Sequence, residues 1–245
     1  MTSPTMWQEV EFGSYGADLP VWVELAEQTG GPVVELGAGA GRVALHLAGR
    51  GYEVVAIEQD LELIRELEEG AARRGVSLSV LAADLSSPAV LRLPVRPALA
   101  IAPLHLIQII DAPARAALLT RLRELMVPGG ILALTVVDES TILNSGATSP
   151  QILPDMREVD GWVYSSEPLW VQVGDEALTI RRLRETVSPE GERERNIHDE
   201  ILHRVDPETL EREAADAGLH PAGRRQISSG ADEADSAVVL LEVPA

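Results

Sequence analysis

Apolar residues follow two alternating patterns between residues 31 and 138. Short runs rich in Val, Ile, Leu and Ala, typical of strands that are covered on both faces, occur at 32–36, 54–58, 78–82, 98–102 and 131–137. Longer stretches between them repeat apolar residues at helical spacing, and Asp60, Gly75 and Asp111 stand where a helix begins or ends. Five strands alternating with helices predict a mostly parallel, doubly wound α/β sheet.

The pattern changes after residue 138. Residues 140–160 are rich in Ser, Thr, Pro and Gly and predict a connecting loop. Strand-like stretches at 162–173, 177–187 and 195–205 are separated by turn residues, so they predict an antiparallel β meander. A last helix at 207–217 and a last strand at 237–243 follow.

We therefore expect one α/β domain with a seven-stranded, Rossmann-like sheet and an inserted antiparallel β meander over the 245 residues. Its expected parts are an N-terminal arm and helix (1–30), a ligand-binding core (31–138), a loop and antiparallel cap (139–205), and a C-terminal helix and strand (206–245).

Composition and charge limit the class of protein. The chain has no cysteine, so it forms neither a disulfide framework nor a thiolate metal site. Its formal net charge is −19, which repels nucleic acid at long range, so nucleic acid is not an expected partner. The first residues do not resemble a signal peptide and no apolar run is long enough to span a bilayer. We expect a cytoplasmic protein with no membrane partner.

The strongest chemical signal is a glycine loop between the first strand and the helix after it. Gly37, Gly39 and Gly41 stand at alternate positions, where they allow a sharp turn and a close approach of backbone to a ligand. The helix after them points free N–H groups toward that ligand. A dinucleotide fingerprint would place a third glycine at the sixth position, which is Arg42 here.

Three further features follow the loop in order. Glu58 ends the second strand, about 20 residues after the first glycine, where a carboxylate can accept ribose hydroxyls. Asp84 follows the third strand, and 128–130 is a Pro-Gly-Gly turn into the fifth. Together with Glu35 at the end of the first strand, this set resembles the class I S-adenosylmethionine-dependent methyltransferases of the small-molecule type.

That resemblance implies S-adenosylmethionine as cofactor and a set of cofactor-binding residues. These are Tyr15, Glu35, Gly37, Ala38, Gly39, Gly41, Glu58, Gln59, Asp84, Leu85 and Ala102. Structural alternatives remain for three of them: Glu35 can cap backbone N–H groups, Glu58 can be a solvated strand end, and Asp84 can cap a turn. The residues after the fourth strand do not form the Asn-Pro-Pro-Tyr motif of enzymes that methylate amino groups of bases or glutamine.

Catalytic candidates are fewer. His105 follows the fourth strand at the carboxyl edge of the predicted sheet, where it can take a proton from a hydroxyl or can simply pack against or cap the next helix. His198 and His203 fall on opposite faces of one predicted strand, so no metal site is expected. Two roles are open for the aromatic residues Trp7, Tyr15 and Trp22. They form a lid over the positively charged sulfur of the cofactor, or Trp22 lies in the core while Trp7 and Tyr15 anchor the N-terminal arm.

The expected reaction is methyl transfer to an O or N nucleophile of a small organic molecule by in-line displacement. A cofactor-binding sensor or partner protein without catalysis is the alternative. A nicotinamide-dependent oxidoreductase is disfavoured by Arg42. The sequence names neither the methyl acceptor nor the oligomeric state, because acceptor pockets are built from variable loops.

Overall fold

The computed structural model describes residues 4–137, 154–228 and 235–245. The first part contains α1 (Pro4–Phe12), α2 (Leu19–Thr29), β1 (Val33–Leu36), α3 (Arg42–Ala48), β2 (Val54–Glu58), α4 (Leu61–Arg74), β3 (Ser79–Ala82), β4 (Leu99–Ala102), α5 (Leu106–Ile109), α6 (Ala112–Leu125) and β5 (Ile131–Val137). The second part contains β6 (Asp155–Val159), β7 (Trp162–Val173), β8 (Ala177–Val187), β9 (Arg193–His203), α7 (Pro207–Asp216), β10 (His220–Ile227) and β11 (Ser236–Glu242).

The main sheet has seven strands in the order β10-β11-β5-β4-β1-β2-β3. Strands β1 to β5 pair in parallel, whereas β11 and β10 are antiparallel to their neighbours. Strand order reverses beside β1, which lies between β2 and β4, so a crevice opens at the carboxyl ends of these strands. The predicted doubly wound, mostly parallel α/β fold is confirmed.

Helices cover the main sheet on both faces. Strands β1, β2 and β4 are buried at every position, as their unbroken apolar runs predict. One core joins them to α6 and α7, and the other joins them to α2 and α3. The helices begin where cap chemistry predicts, because the carboxylates of Asp60, Asp111 and Asp206 each accept a hydrogen bond from a backbone N–H in the first turn.

A second sheet, in the order β6-β7-β8-β9, forms the antiparallel cap. Its strands pair in sequence order, as expected of a meander. Leu178 of β8 and Leu202 of β9 are buried against Val137, the last residue of β5. Because Val137 lies at the carboxyl end of its strand, this contact places the cap beside the crevice of the main sheet.

Three elements differ from the prediction. Helix α1 forms where the sequence predicted an N-terminal arm, and its residue Glu11 accepts a hydrogen bond from Ser166 of β7. Strand β6 forms at the end of the segment 140–160, which was predicted to be a loop; residues 140–153 of that segment lie outside the described residues. Asp160 and Gly161 both have positive φ and form the turn between β6 and β7. Strand β10 was not predicted, because its polar, exposed edge position gives no apolar run.

Within the part of the chain that the structure describes, no helix combines the length and the apolar character needed to cross a membrane.

Candidate functional site

The glycine loop lies at the carboxyl end of β1, at the reversal of strand order. Gly37, Gly39 and Gly41 have φ values of 64°, 56° and 90°, which L side chains rarely adopt. A Cβ at Gly37 would lie 2.8 Å from Leu106, at the start of α5. The three glycines are therefore required both by the backbone path and by close packing around the loop.

Glu58 holds the glycine loop against β2. One of its carboxylate oxygens accepts a hydrogen bond from the Gly39 N–H at 2.9 Å, and the other accepts from the N–H groups of Gln59 at 2.7 Å and Asp60 at 3.0 Å. The residue is only 8 % exposed. Three N–H donors compensate the burial of the charge, so Glu58 is not the solvated strand end that its structural alternative described.

Gln8 of α1 contacts the same loop from the opposite side. Its side-chain oxygen accepts a hydrogen bond from the Ala40 N–H at 3.0 Å. A Cβ at Gly39 would overlap the Gln8 amide, so only a glycine admits this contact. The loop thus receives one acceptor from the sheet and one from a helix that the sequence did not predict.

Glu35 lies below the loop on the face covered by α2 and α3. Its carboxyl group is 3 % exposed, and the Ala44 N–H in the first turn of α3 donates a hydrogen bond to it. Burial raises the pKa of Glu35 to about 8, against the opposing effects of Arg42 and that N–H. Among the described residues, its Oε2 atom has no hydrogen-bond partner. Glu35 therefore caps a backbone N–H group of α3, which is the structural alternative to its contacting the cofactor.

Arg42, the residue that distinguishes the loop from a dinucleotide fingerprint, has a structural task. Its guanidinium group forms two hydrogen bonds of 2.6 Å to the carboxylate of Asp18, which also accepts from the Trp22 indole N–H at 2.8 Å. Arg42 also donates to the Tyr15 carbonyl and lies 5.1 Å from the centre of its ring. These contacts tie the start of α2 to the start of α3. Trp22 is buried in the core, which was the alternative to its being part of an aromatic lid. Tyr15 lies beside the glycine loop, in contact with Arg42.

The remaining predicted cofactor residues lie along the same edge of the sheet. Asp84 is exposed after β3, and its carboxylate accepts hydrogen bonds from the N–H and hydroxyl of Ser86, which lower its pKa. It therefore caps a turn, as its alternative held. Gln59 is exposed, whereas Leu85 and Ala102 are buried in the core. Asp84 and Gln59 thus lie exposed after the carboxyl ends of β3 and β2.

His105 lies between β4 and α5 in a strained segment. Leu104 and His105 have φ values of 50° and 59°, a conformation that costs about 1–3 kcal/mol for each non-glycine residue. The His105 Nε2 atom lies 2.8 Å from the hydroxyl oxygen of Ser236 on β11. Burial lowers the pKa of His105 to about 4, so the imidazole is neutral at physiological pH.

A family of known proteins is similar to the segment that contains strands β1 to β4. Residues 33–130 match the model of a family described as a methyltransferase domain. This segment of the chain is therefore similar to a methyltransferase domain. The matched segment runs from β1 to the turn before β5 and contains the glycine loop, Glu58, Asp84 and His105. The predicted resemblance to methyltransferases is therefore confirmed. Among curated protein sequences, none is significantly similar to the chain.

Solved structures share the fold over nearly the whole length of this chain. An S-adenosylmethionine-dependent methyltransferase from Clostridium acetobutylicum has a TM-score of 0.75 at 12% identity, over 98% of this chain and 97% of that one. A sugar N-methyltransferase from Streptoalloteichus has 0.71 at 15% identity, over 98% and 93%. An amino pentose methyltransferase from Micromonospora echinaspora, solved with S-adenosylmethionine bound, has 0.69 at 11% identity, over 98% of each chain.

Two residues beside the glycine loop were missed by sequence reasoning. Gln8 gives no signal, because a single glutamine in a polar segment has no characteristic spacing from the loop it contacts. Asp18 gives a weak signal, because an aspartate directly before the helical pattern at 19–26 is a usual helix cap. In the structure its carboxylate instead pairs with Arg42, without a side-chain cap hydrogen bond.

Proposed function

We propose that the chain transfers a methyl group from S-adenosylmethionine to an O or N nucleophile of a small organic molecule. The observation that supports this best is the position of the glycine loop and Glu58 together at the reversal of strand order, inside the segment that matches the methyltransferase domain. Ligands of open α/β sheets bind at this place.

The residues of the loop fit this cofactor. Positive φ at the three loop glycines lets the backbone turn sharply at the carboxyl end of β1, where this cofactor would be held. The Glu58 carboxylate has about four acceptor sites, of which three are used by N–H groups, so one remains for a ribose hydroxyl. Asp84 and Gln59 would contact the nucleoside from the carboxyl ends of β3 and β2.

The cofactor supplies an electrophilic methyl group on a positively charged sulfur. The protein then has to hold the acceptor in line with that group and exclude water. His105 is the candidate general base at this edge. Because its imidazole is neutral but has a low pKa, it is a weak proton acceptor for a hydroxyl group. This favours nitrogen, since a neutral amine attacks without prior loss of a proton.

The solved structures agree with a nitrogen acceptor. They include the sugar N-methyltransferase and the amino pentose methyltransferase described above, together with a glycopeptide N-methyltransferase. We therefore place amino groups of sugars and other small amines first among the acceptors to be tried. The cytoplasmic location and the exclusion of nucleic acid as a partner stay predictions.

Calorimetric titration with S-adenosylmethionine and S-adenosylhomocysteine tests the proposal. We expect both to bind the folded protein, and we expect methyl transfer to at least one member of a panel of small amines and alcohols. A folded protein that binds neither nucleotide would overturn the proposal. Binding without transfer to any panel member would favour the cofactor-binding sensor, and binding of NADH instead would favour the oxidoreductase.

A further inference from the structure

Helix α1 lies between the glycine loop and the antiparallel cap. Trp7 and Glu11 are four residues apart and so share one face of the helix, which is turned toward β7 and β8. Gln8 is one residue, or about 100°, around the helix from Trp7 and is turned toward the loop. One short helix therefore contacts both the proposed cofactor site and the cap.

The contact with the cap is a buried ion pair. The Glu11 carboxylate accepts two hydrogen bonds of 2.8 Å from Arg184 and one of 2.7 Å from the Ser166 hydroxyl. The side chains of Glu11 and Arg184 are 4 % and 16 % exposed. Burial raises the pKa of Glu11, but the hydrogen bonds from Arg184 and Ser166 outweigh it and lower the pKa overall, so this carboxylate is charged.

Further contacts fix the orientation of α1 against the cap. Trp7 packs edge-on against Tyr164, with ring centres 6.1 Å apart, and the Arg184 guanidinium lies 5.2 Å from the centre of the Trp7 ring. Glu9 forms an ion pair with Arg157 on β6. Contacts on successive residues of the helix restrain both its rotation and its translation, and so restrain where Gln8 can reach.

We propose that Gln8 is a positioning residue of the cofactor site and that the Glu11–Arg184 ion pair holds it in place. Gln8 acts by accepting the Ala40 N–H, which keeps the Gly39–Ala40 turn in its binding shape. The cap thereby sets the shape of the loop although it does not touch Ala40. This inference rests on the proposed function only for its effect on cofactor affinity; the effect on the loop itself is independent of it.

Amide hydrogen exchange at Ala40 tests the structural part. Gln8→Ala removes the acceptor of this N–H, so we expect exchange at Ala40 to become about tenfold faster, the usual size for loss of one hydrogen bond. The matched control is Gln28→Ala, because Gln28 is exposed on α2 and donates a hydrogen bond to Glu24 one turn away on the same helix. It should leave the exchange rate at Ala40 unchanged.

Glu11→Gln tests the coupling. It keeps the shape of the side chain but removes the charge that pairs with Arg184, so we expect exchange at Ala40 to become several-fold faster although Glu11 does not touch that residue. In the double variant Gln8→Ala/Glu11→Gln, exchange should be no faster than in Gln8→Ala alone, because the path from Glu11 to the loop is already cut.

A purely structural role for Glu11 would give a different result. Global stability would fall, but exchange at Ala40 would stay at the wild-type rate, or the two single effects would multiply in the double variant; either result overturns the inference. Should Glu11→Gln fail to fold, Arg184→Lys repeats the test with a smaller expected effect, because it keeps the charge but loses the paired hydrogen bonds to Glu11.

Affinity for S-adenosylhomocysteine tests the functional part. We expect Gln8→Ala and Glu11→Gln each to weaken binding about fivefold, while Gln28→Ala binds as wild type does. Wild-type affinity in both variants would overturn the inference and leave the proposed function intact. If the wild-type protein does not bind the nucleotide, the proposed function fails, and the exchange data at Ala40 still decide whether α1 positions the loop.

Discussion

The buried carboxyl group of Glu35 makes the free energy of unfolding depend on pH, and the substitution Glu35→Gln should remove this dependence. Its pKa is about 8 in the folded chain against an ordinary value of 4.5. Between these values the folded chain binds more protons than the unfolded chain, so stability falls as pH rises. The loss begins near pH 4.5 and is complete above pH 8.

The size of the effect follows from the shift. Ionisation of Glu35 favours the unfolded chain by about 1 kcal/mol at pH 5 and by about 5 kcal/mol at pH 9, since each unit of pKa difference corresponds to about 1.4 kcal/mol. Glu35→Gln has no such ionisation and nearly the same shape. The free energy of unfolding of the variant, relative to wild type, should therefore increase by about 4 kcal/mol from pH 5 to pH 9.

Urea unfolding followed by circular dichroism at pH 5, 7 and 9 measures this difference. Glu68→Gln is the matched control, because Glu68 lies on the exposed face of α4 and its removal should leave the pH dependence of wild type. If wild type and Glu35→Gln instead differ by the same amount at all three pH values, Glu35 does not change its ionisation over this range, and burial does not dominate its environment.

Three other substitutions test the site. Glu58→Ala should weaken S-adenosylhomocysteine binding at least tenfold, measured by calorimetry, because it removes both a ligand acceptor and the partner of the Gly39 N–H; unchanged affinity would remove Glu58 from the site. Arg42→Lys loses the paired hydrogen bonds to Asp18 and should lower the free energy of unfolding by about 2–3 kcal/mol in urea titrations; an unchanged midpoint would contradict this role. His105→Ala should leave cofactor affinity within about twofold and lower kcat by less than about tenfold, because the low pKa of the buried imidazole makes it a weak proton acceptor and a neutral amine attacks without a base; a loss of about 100-fold would show that this imidazole does accept a proton.

Local chemistry made much of the fold predictable. The apolar runs at β1, β2, β4 and β5 identified buried strands because strands covered on both faces lack polar positions. Asp60 and Asp111 marked helix starts because a cap needs only the N–H groups two or three residues further along. Edge strand β10 and helix α1 show neither an apolar run nor a capping residue that would predict them. The positions of their polar residues follow from contacts with segments distant in sequence.

The candidate site likewise has features that local sequence predicts and features that depend on distant residues. Spacing alone indicated the glycine loop and Glu58, because the turn, the helix start and the carboxylate are produced by one strand, helix and strand unit. The partner of His105 lies 131 residues away in sequence, and that of Glu11 lies 173 residues away. No periodicity connects positions so distant.

The sequence by itself therefore determined the parallel core, the loop and the order of the polar residues along its edge, because these follow from periodicity, backbone freedom and neighbours within a few residues. Only the tertiary structure decided that α1 contacts the loop through Gln8, that Arg42 pairs with Asp18, and that burial raises the pKa of Glu35 and lowers the pKa of His105. The physical reason is that desolvation and pairing depend on which distant segments pack together, and packing is a property of the whole fold.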